Sequence, residues 1–303
     1  MDVTRFIPLA IALLAAPLLF GIINRTKAFF AGRRGSPLLQ LYFDIAKLMR
    51  KGVTYSNTTT WVFRAGPVLV LSATIVAVAF VPMGGIPAIS PFPGDILLFA
   101  YLLAMTRFMT IIAALDTGSS FEGMGASREA FFSALAEPAL LLGVSTLVYV
   151  SGQTSLSGIF ASVNPAVWGN YGPALALVAI ALGAVLLVEC SRIPIDDPNT
   201  HLELTMIHEV MILDNSGPDL GIIEYASSLK LWAFGSLIVG LAVPVRSGIL
   251  IVDCATFLVG MLVLAVLVGT IESTMGRLRL TNVPRLISGA IASAVLAWAL
   301  ILR

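Results

Sequence analysis

The sequence predicts an all-helical membrane protein, a single-domain bundle of about eight transmembrane helices. The first observation is composition: 58% of the 303 residues are hydrophobic and 12% are charged, whereas charged residues make up about 25% of an average soluble domain. The second is the length of the apolar runs, because a bilayer core about 30 Å thick needs about 20 apolar residues of helix. The third is that these runs lack the two-residue alternation of barrel strands, which leaves helices as the structure able to satisfy the backbone in lipid.

Eight apolar runs meet this length requirement. The first has no small-residue cleavage site and is followed by further runs, so it is predicted to be a retained helix and not a signal peptide. The predicted spans lie near residues 6–23, 65–81, 96–115, 131–150, 172–188, 220–243, 248–271 and 283–302.

Lysine and arginine are concentrated in alternate connections. The connection between the first two spans is rich in both, and basic residues recur in every second connection after it, at Arg128, Arg192, Arg277, Arg279 and Arg285. Residues 82–95 and 151–171 contain none. Because basic loops remain on the cytoplasmic side of a membrane, both termini are predicted to face outward and the basic and acidic loops to face the cytoplasm.

The first basic loop also contains a short amphipathic segment. Leu38, Leu41, Ile45 and Leu48 recur at helical spacing, and polar residues occupy most of the other faces. At about 14 residues the segment is too short to span a bilayer. An amphipathic helix at the membrane interface is therefore predicted.

Ionisable residues within the predicted spans require an explanation, because each costs about 2.5 to 3.5 kcal/mol at the centre of a bilayer on insertion scales. Buried acids near helix ends are able to line a hydrated path for protons. Alternatively, the lipid headgroup region solvates the three glutamates among them, and the two basic residues form structural ion pairs. Asp253, near an outer helix end, is expected to be solvated. The residues are Arg107, Glu137, Glu189, Glu224, Lys230 and Asp253.

Two long acidic loops lie on the predicted cytoplasmic side. The first, near residues 116–131, contains Asp116, Glu122 and several glycines, and Ser127 is expected to cap the helix that follows. The second, near residues 189–220, contains seven acidic residues and both histidines, His201 and His208. A docking surface for a soluble partner, or the rim of a proton inlet, is predicted for the second loop.

Several functional classes are disfavoured by the same residues. The histidines do not have the two-histidine helical spacing of zinc enzymes, and Cys190 and Cys254 show no metal-ligand spacing. No metal site is therefore predicted in this chain. The charge is nearly balanced, with 18 basic and 17 acidic residues and no long basic tract, so nucleic acid is not a predicted partner.

The loop motifs resemble those of the complex I subunit 1 family, which includes the quinone-site membrane subunit of respiratory complex I and its counterparts in membrane-bound nickel-iron hydrogenases. The family pattern E-x-x-R-x-P-x-D, with a later E-L pair, is matched here, as are its SG and EY elements. Two acids usual in the complex I version are replaced by Asn199 and His201. The matching residues are Glu189, Arg192, Pro194, Asp196, Glu203, Leu204, Ser216, Gly217, Glu224 and Tyr225.

Three further segments are similar to the hydrogenase branch of this family, the formate hydrogenlyase type. The first is the string DTGSSFEGMGASREAF, which precedes Glu137-Pro138, and the second is ESTMGRLRLTNVPR near the C-terminus. The third is Gln40, Asp44 and Lys47, which resemble a shortened form of the family's GP-x-Q-x-D-x-K segment.

The resemblance implies a coupling subunit in a bacterial or archaeal cytoplasmic membrane. It would hold a soluble arm composed of hydrogenase-like large and small subunits and a ferredoxin-like iron-sulfur subunit, and would adjoin antiporter-like membrane subunits. Iron-sulfur clusters and a nickel-iron site are expected in those partners, and no cofactor is expected in this chain. Proton transfer or coupling is assigned by the resemblance and the buried charges to Glu137, Glu189, Glu203, Glu224, Asp196, Arg192, Arg107 and Lys230. A docking interface or quinone-type cavity is assigned to Gln40, Asp44, Lys47, Asp116, Glu122 and Arg128.

Three alternatives remain open at the level of sequence. One is a quinone-binding subunit of a complex I-like oxidoreductase, against which the replacements at Asn199 and His201 argue mildly. Another is a secondary ion transporter that works alone, which the charges at Arg107 and Lys230 permit. The third is a related complex whose soluble arm has lost hydrogen chemistry. The sequence also leaves open whether the coupled ion is H⁺ or Na⁺.

Overall fold

The computed structural model describes residues 3–196, 206–244 and 247–302, and in this part of the chain it is a helix bundle without β-strands. Eight helices are long and apolar enough to cross a membrane, which confirms the predicted multi-pass bundle. In chain order the helices are α1 (Ile7–Phe30), α2 (Gln40–Leu48), α3 (Trp61–Ala79), α4 (Asp95–Asp116), α5 (Ser120–Ser151), α6 (Leu156–Ser162), α7 (Pro165–Glu189), α8 (His208–Met211), α9 (Pro218–Ala242), α10 (Leu250–Thr274) and α11 (Val283–Ile301).

Each spanning helix has one of its two ends on the same side of the bundle, and we call this side the basic end. It is where α1 ends and α3 begins, where α4 ends and α5 begins, and where α7 and α10 end. The short helices α2 and α8 connect spans at this end, whereas α6 lies in the connection between α5 and α7 at the opposite end.

Helix α9 is the most enclosed span: 67% of its most apolar 18-residue stretch is buried, compared with 28% for α10 and 22% for α11. It packs against α1, α2, α3, α7 and α10. A charged residue on α9 therefore lies inside the bundle and needs partners there, because desolvating an unpaired charge costs several kcal/mol. Lys230 lies on α9 and therefore needs a partner inside the bundle.

Helix α5 begins earlier than predicted. The chain is helical from Ser120, and Ser119, in an extended conformation, is the residue before it. The prediction that Ser127 caps this helix is wrong: its hydroxyl donates to the Met124 carbonyl oxygen within the helix, at 2.9 Å. The glycines of this segment predict a loop, but Gly125 is helical. It has no side chain, and this allows α8 to approach α5. A Cβ atom there would lie 2.3 Å from Cγ1 of Val210 and 2.9 Å from the Ile207 oxygen.

The amphipathic segment of the first loop forms α2, as predicted, while its position at a membrane interface stays a prediction. The helix packs against α1 and α9. The Tyr42 hydroxyl donates to the Leu14 carbonyl oxygen of α1, and a Cβ atom at Gly221 of α9 would lie 3.2 Å from Cβ of Leu48. Phe43 faces outward and is exposed. Helix α2 is thus held against α1 and α9, with its outer face open.

The expectation that Asp253 is solvated is wrong. Its side chain is buried, 5% exposed, and accepts hydrogen bonds from the backbone nitrogen and the hydroxyl of Ser247, both at 2.7 Å. Asp95, also near the opposite end, is fully buried and accepts from the Leu156 backbone nitrogen at 2.7 Å. Short polar segments that fold back onto the helix ends supply these donors, so the two acids fasten connections between helices.

Candidate functional site

A buried charge cluster, which we call the deep cluster, lies between α4, α5, α7 and α9. Glu189, the last residue of α7, accepts a hydrogen bond from the Arg107 guanidinium of α4 and forms an ion pair with Nζ of Lys230 on α9 at 3.1 Å. The Glu189 side chain is 2% exposed. One carboxylate with two cations would leave a buried excess of positive charge, which is costly in a low-dielectric interior.

Glu129 of α5 supplies the second negative charge of the deep cluster. It is buried, 6% exposed, and its Oε1 accepts from the Ser133 hydroxyl at 3.3 Å. Its carboxylate interacts electrostatically with Lys230, Glu189 and Arg107. With all four residues ionised, the deep cluster is neutral. Among the described residues Glu129 has no ion-pair contact as short as those of Glu189, so of the two acids it is the one whose charge is held less firmly.

A small cavity of about 40 Å³, the deep cavity, opens beside this cluster. A cavity of this volume accommodates water molecules, since one needs roughly 10–15 Å³ of such space. Hydroxyl, thiol and imidazole groups line it together with the four charged residues. These lining groups belong to Thr74, Thr106, Thr110, Cys190, Ser191, Ser227 and His208.

A second charge cluster, the loop cluster, lies nearer the basic end. Glu272 of α10 forms ion pairs with Nζ of Lys27 on α1 at 2.8 Å and with Nη1 of Arg192 at 3.4 Å. A Cβ atom at Gly269, one turn before Glu272, would lie 2.8 Å from Cβ of Thr26. The glycine therefore allows α10 to approach α1 closely enough for the Lys27–Glu272 contact.

Asp196 fastens the start of the acidic loop to this cluster. It forms an ion pair with Nη2 of Arg277 at 3.0 Å and accepts from the backbone nitrogens of Ile207 and His208 at 3.0 and 2.9 Å. The guanidinium of Arg192 stacks over the Phe20 ring, 4.0 Å from its centroid, a favourable contact for a desolvated cation. These contacts fix the loop to α1, α10 and the segment after α10.

A second cavity of about 40 Å³, the loop cavity, adjoins the first. The two cavities share four lining residues, Cys190, Ser191, His208 and Ser227, and the loop cavity also contacts Arg192, Asp196 and Glu209. Burial raises the pKa of the Glu209 carboxyl and lowers the pKa of the His208 imidazole. Burial also raises the pKa of the Cys190 thiol to about 12, so this thiol stays protonated at neutral pH.

The loop cavity is linked electrostatically to the outer face of the basic end. Glu209 interacts with Glu224 of α9, and Glu224 interacts with Asp44 of α2. Oδ1 of Asp44 accepts from Nε2 of Gln40 at 2.9 Å, and Asp44 is partly exposed. Ionisable groups therefore extend from α2 through the two cavities to Arg107, about halfway along α4.

The whole chain matches one family of membrane proteins. A family model described as NADH dehydrogenase matches residues 4–303. The chain belongs to this family. Within it, the chain is 32% identical over 289 residues to formate hydrogenlyase subunit 4 of Escherichia coli (strain K12), which covers 93% of both proteins. It is 30% identical over 296 residues to hydrogenase-4 component C of the same organism, covering 95% of this chain and 92% of the relative.

Two further proteins are similar to this chain, one in sequence and one in fold. NADH-ubiquinone oxidoreductase chain 1 of Triticum aestivum is 26% identical over 217 residues, covering 67% of this chain and 66% of the relative. A chain of the membrane-bound sulfane sulfur reductase, an archaeal respiratory membrane complex, has the same fold with a TM-score of 0.81 and 20% identity, covering 97% of this chain and 98% of that chain. These comparisons confirm the predicted complex I subunit 1-like family and its hydrogenase relatives.

The structure brings together most of the residues that the sequence assigned to proton transfer. Arg107, Glu189 and Lys230 form the deep cluster, and the structural ion pairs considered as an alternative for Arg107 and Lys230 are present. Arg192 and Asp196 lie in the loop cavity, and Glu224 lies beside α2. Glu203 lies outside the described residues. The roles of these residues in proton transfer stay predictions.

Glu137 is the assigned acid that the structure separates from the others. It lies on α5 about 12 Å along the helix axis from Glu129, at 1.5 Å per residue. It is partly buried, lines neither cavity, and has no hydrogen-bond or ion-pair partner among the described residues.

The residues assigned to a docking interface divide into two groups. Gln40, Asp44 and Lys47 lie on α2 at the basic end, and Lys47 is exposed. The others hold loops within the chain: Asp116 accepts from the Thr60 backbone nitrogen at 2.7 Å and Arg128 donates to the Met206 oxygen at 2.8 Å. Glu122 is buried, 1% exposed, and accepts from the Asp214 nitrogen at 3.1 Å. A docking role for Glu122 therefore stays a prediction. Because its carboxylate is buried, Glu122 would act through the loop that it holds.

Sequence reasoning missed several members of the two clusters. Glu129 was interpreted as a loop residue because the start of α5 was placed too late; a helix extended back to Ser120 would have placed it inside the bundle. His208 and Glu209 lie in the loop that was predicted to be a docking surface or the rim of a proton inlet, but neither was assigned a role of its own in proton transfer. Lys27, Glu272 and Arg277 carried no signal of pairing, because their partners are distant in sequence.

Proposed function

We propose that this chain is the membrane-embedded coupling subunit of a hydrogenase-type respiratory complex. It docks a soluble arm that carries iron-sulfur clusters and a nickel-iron site, and it links electron transfer in that arm to the movement of protons. The observation that carries the proposal is the series of electrostatically interacting ionisable groups from α2 to the deep cluster, which adjoins two cavities large enough for water. The relatives in formate hydrogenlyase and hydrogenase-4 support the choice of partner.

The arrangement suits a path that enters from the docked arm. The basic end presents α2, with Asp44 and the exposed Lys47, whereas the acids Asp196, Glu189 and Glu129 farther along the path are buried. Beyond Arg107 most of the buried side chains in the described parts of α4, α5 and α7 are apolar, such as Leu103, Leu140 and Leu182. The polar path therefore extends into half of the bundle, and further conduction is assigned to neighbouring antiporter-like subunits.

Two features argue against the alternatives. A transporter that works alone needs a polar route to both ends, and the acids near the opposite end, Asp95 and Asp253, are committed to backbone and hydroxyl donors. A quinone ring needs far more space than the two polar cavities offer, since a cavity that accepts benzene is about 150 Å³ and each of these is about 40 Å³. Quinone binding is therefore not proposed for either of these two cavities.

The test is reconstitution of the intact complex, purified through a tag on this chain, into liposomes containing a pH-sensitive dye. Electron transfer is started with reduced methyl viologen and measured with and without a protonophore. We expect a change of lumen pH that the protonophore abolishes. Electron transfer without any pH change would contradict coupling. A large subunit without two cysteine pairs suited to nickel would contradict the hydrogenase assignment alone.

Two variants on one helix refine this test. Glu129→Gln removes the exchangeable charge from the deep cluster, and we expect a loss of at least five-fold in protons moved per electron. Glu137→Gln makes the same chemical change outside both cavities, and we expect a smaller loss. The opposite order would show that the path follows Glu137 instead of the deep cluster.

A further inference from the structure

His208 occupies the junction between the two cavities. It is the first residue of α8, and its backbone nitrogen donates to Oδ2 of Asp196 at 2.9 Å, which holds it in place. Its side chain lines both the deep cavity and the loop cavity. The other three residues shared by the cavities are Cys190, Ser191 and Ser227. Among these four side chains, the imidazole alone gains and loses a proton within the physiological pH range.

The charged groups around His208 belong to both clusters. Glu209, Lys230 and Asp196 act on it electrostatically, Arg192 lines the loop cavity, and Arg107, Glu129 and Glu189 line the deep cavity. Burial and Lys230 oppose a permanent positive charge on the ring, whereas Glu209 and Asp196 favour it. A ring in this balance rests neutral, with one nitrogen free to accept a proton and the other bearing one.

We propose that His208 is the relay that passes protons between the loop cavity and the deep cavity. A proton bound by one ring nitrogen from the loop cavity is matched by release of the proton on the other nitrogen toward the deep cavity, where Glu129 accepts it. No electrons move, and the ring ends with the number of protons it had at the start. This inference rests on the proposed coupling function and adds to it a residue that family resemblance did not assign.

The same surroundings select H⁺ over Na⁺. Three carboxylates of the two clusters already have a basic side chain as a direct partner. Glu189 contacts Arg107 and Lys230, Glu272 contacts Lys27 and Arg192, and Asp196 contacts Arg277. Hard cations require several oxygen ligands, and fixed cations at those oxygens repel them. A proton needs one basic atom at a time, which His208 and Glu129 offer.

The experiment uses the reconstituted complex described above with three variants of this chain. His208→Gln keeps a polar side chain of similar length that does not carry a proton. His208→Glu keeps a group that titrates. Met211→Leu is the matched packing control for α8, because it is a volume-conserving change in the same short helix at a deep-cavity residue that does not carry a proton. Protons moved per electron and electron transfer with a protonophore present are measured for each, together with the amount of assembled complex.

We expect His208→Gln to move at least ten-fold fewer protons per electron while it retains at least half of the uncoupled electron transfer. His208→Glu should recover at least a third of the wild-type ratio, and Met211→Leu should retain at least half of both. The wild-type ratio should be the same with Na⁺ or K⁺ as the only alkali cation. If His208→Gln does not assemble, the ratio measured for His208→Glu decides.

Three results would overturn the relay. The first is a His208→Gln ratio within two-fold of wild type. The second is an assembled His208→Glu complex whose ratio of protons moved per electron is ten-fold or more below that of wild type, because a histidine with a purely structural role would give that result. The third is a ratio that depends on Na⁺. A wild-type complex that transfers electrons without moving protons would instead overturn the coupling function itself, and the relay with it.

Discussion

Glu189 is the residue that holds the deep cluster together, because its carboxylate is the direct partner of both cations. The amide of Glu189→Gln has the same shape but no charge, so Arg107 and Lys230 would lose their direct partner and the deep cluster would carry excess positive charge. Removing one member of a buried ion pair costs about 3 to 5 kcal/mol. We expect Glu189→Gln to lower the free energy of unfolding of the chain by about 3 kcal/mol, measured in mixed micelles with increasing SDS.

Glu137→Gln is the control for that prediction. It makes the same chemical change on a neighbouring spanning helix, at a partly buried acid without a partner among the described residues. We expect its free energy of unfolding to change by less than about 1 kcal/mol, as for substitutions that break no pair. Equal losses in the two variants would show that Glu189 is not the link between α4, α7 and α9.

Glu209 should make stability depend on pH. Burial is the largest cause of its raised pKa in the folded state; His208 and Arg192 act to lower this pKa, and Glu224 and Asp196 act to raise it. Between its ordinary pKa and the raised value, the folded chain binds more protons than the unfolded chain, so this group makes folding less favourable as pH rises. Glu209→Gln removes that loss. We therefore expect the unfolding temperature of Glu209→Gln, relative to wild type, to increase from pH 5 to pH 8.

His208 affects that difference in the same direction. Its pKa is lowered by burial, so it contributes the opposite slope, with stability lost as pH falls below its ordinary value. Because Glu209 favours the charged ring, Glu209→Gln lowers the pKa of His208 further and increases this loss at low pH. A difference that stayed constant or decreased with pH would show that the Glu209 carboxyl is not desolvated in the folded chain.

At the scale of elements, the contact between α5 and α8 depends on Gly125. A methyl group there would lie 2.3 Å from Cγ1 of Val210 and 2.9 Å from the Ile207 backbone oxygen, so α8 would have to move. Overpacking of this kind costs about 1 to 3 kcal/mol. We expect Gly125→Ala to lower the free energy of unfolding by about 2 kcal/mol.

Gly123 of the same helix provides the matched control. A Cβ atom there meets nothing within 4 Å, and alanine is favoured over glycine inside a helix by up to about 1 kcal/mol. Gly123→Ala should therefore leave stability unchanged or raise it. If both variants behaved alike, helix propensity and not the approach of α8 would explain the effect.

The two glycines also show how far sequence predicts these elements. Apolar length predicts every spanning helix, because the bilayer imposes that length on each one separately. The beginning of α5 was predicted too late because glycine disfavours a helix locally, and the compensating contact comes from a segment more than 80 residues away. The sequence did not predict the Lys27–Glu272 ion pair for the same reason. The two helices α1 and α10 meet at Gly269, and no local sequence pattern encodes that contact.

At the scale of the whole molecule, the coupling proposal requires the basic end to face the cytoplasm. The distribution of lysine and arginine predicts that orientation, and the even number of spans then places both termini outside. If the bundle were inverted, the polar path from α2 would open to the exterior, where a soluble iron-sulfur arm could not dock. Orientation is therefore the property on which docking and coupling both depend.

Two exposed serines allow the orientation to be measured. Ser56 lies between α2 and α3 at the basic end, and Ser90 lies between α3 and α4 at the opposite end. Ser56→Cys and Ser90→Cys would each be placed in a Cys254→Ser chain, in which the remaining Cys190 is buried. We expect a membrane-impermeant maleimide to label Ser90→Cys in intact cells and Ser56→Cys only after lysis. Labelling of Ser56→Cys in intact cells would invert the bundle and remove the basis for a cytoplasmic redox arm.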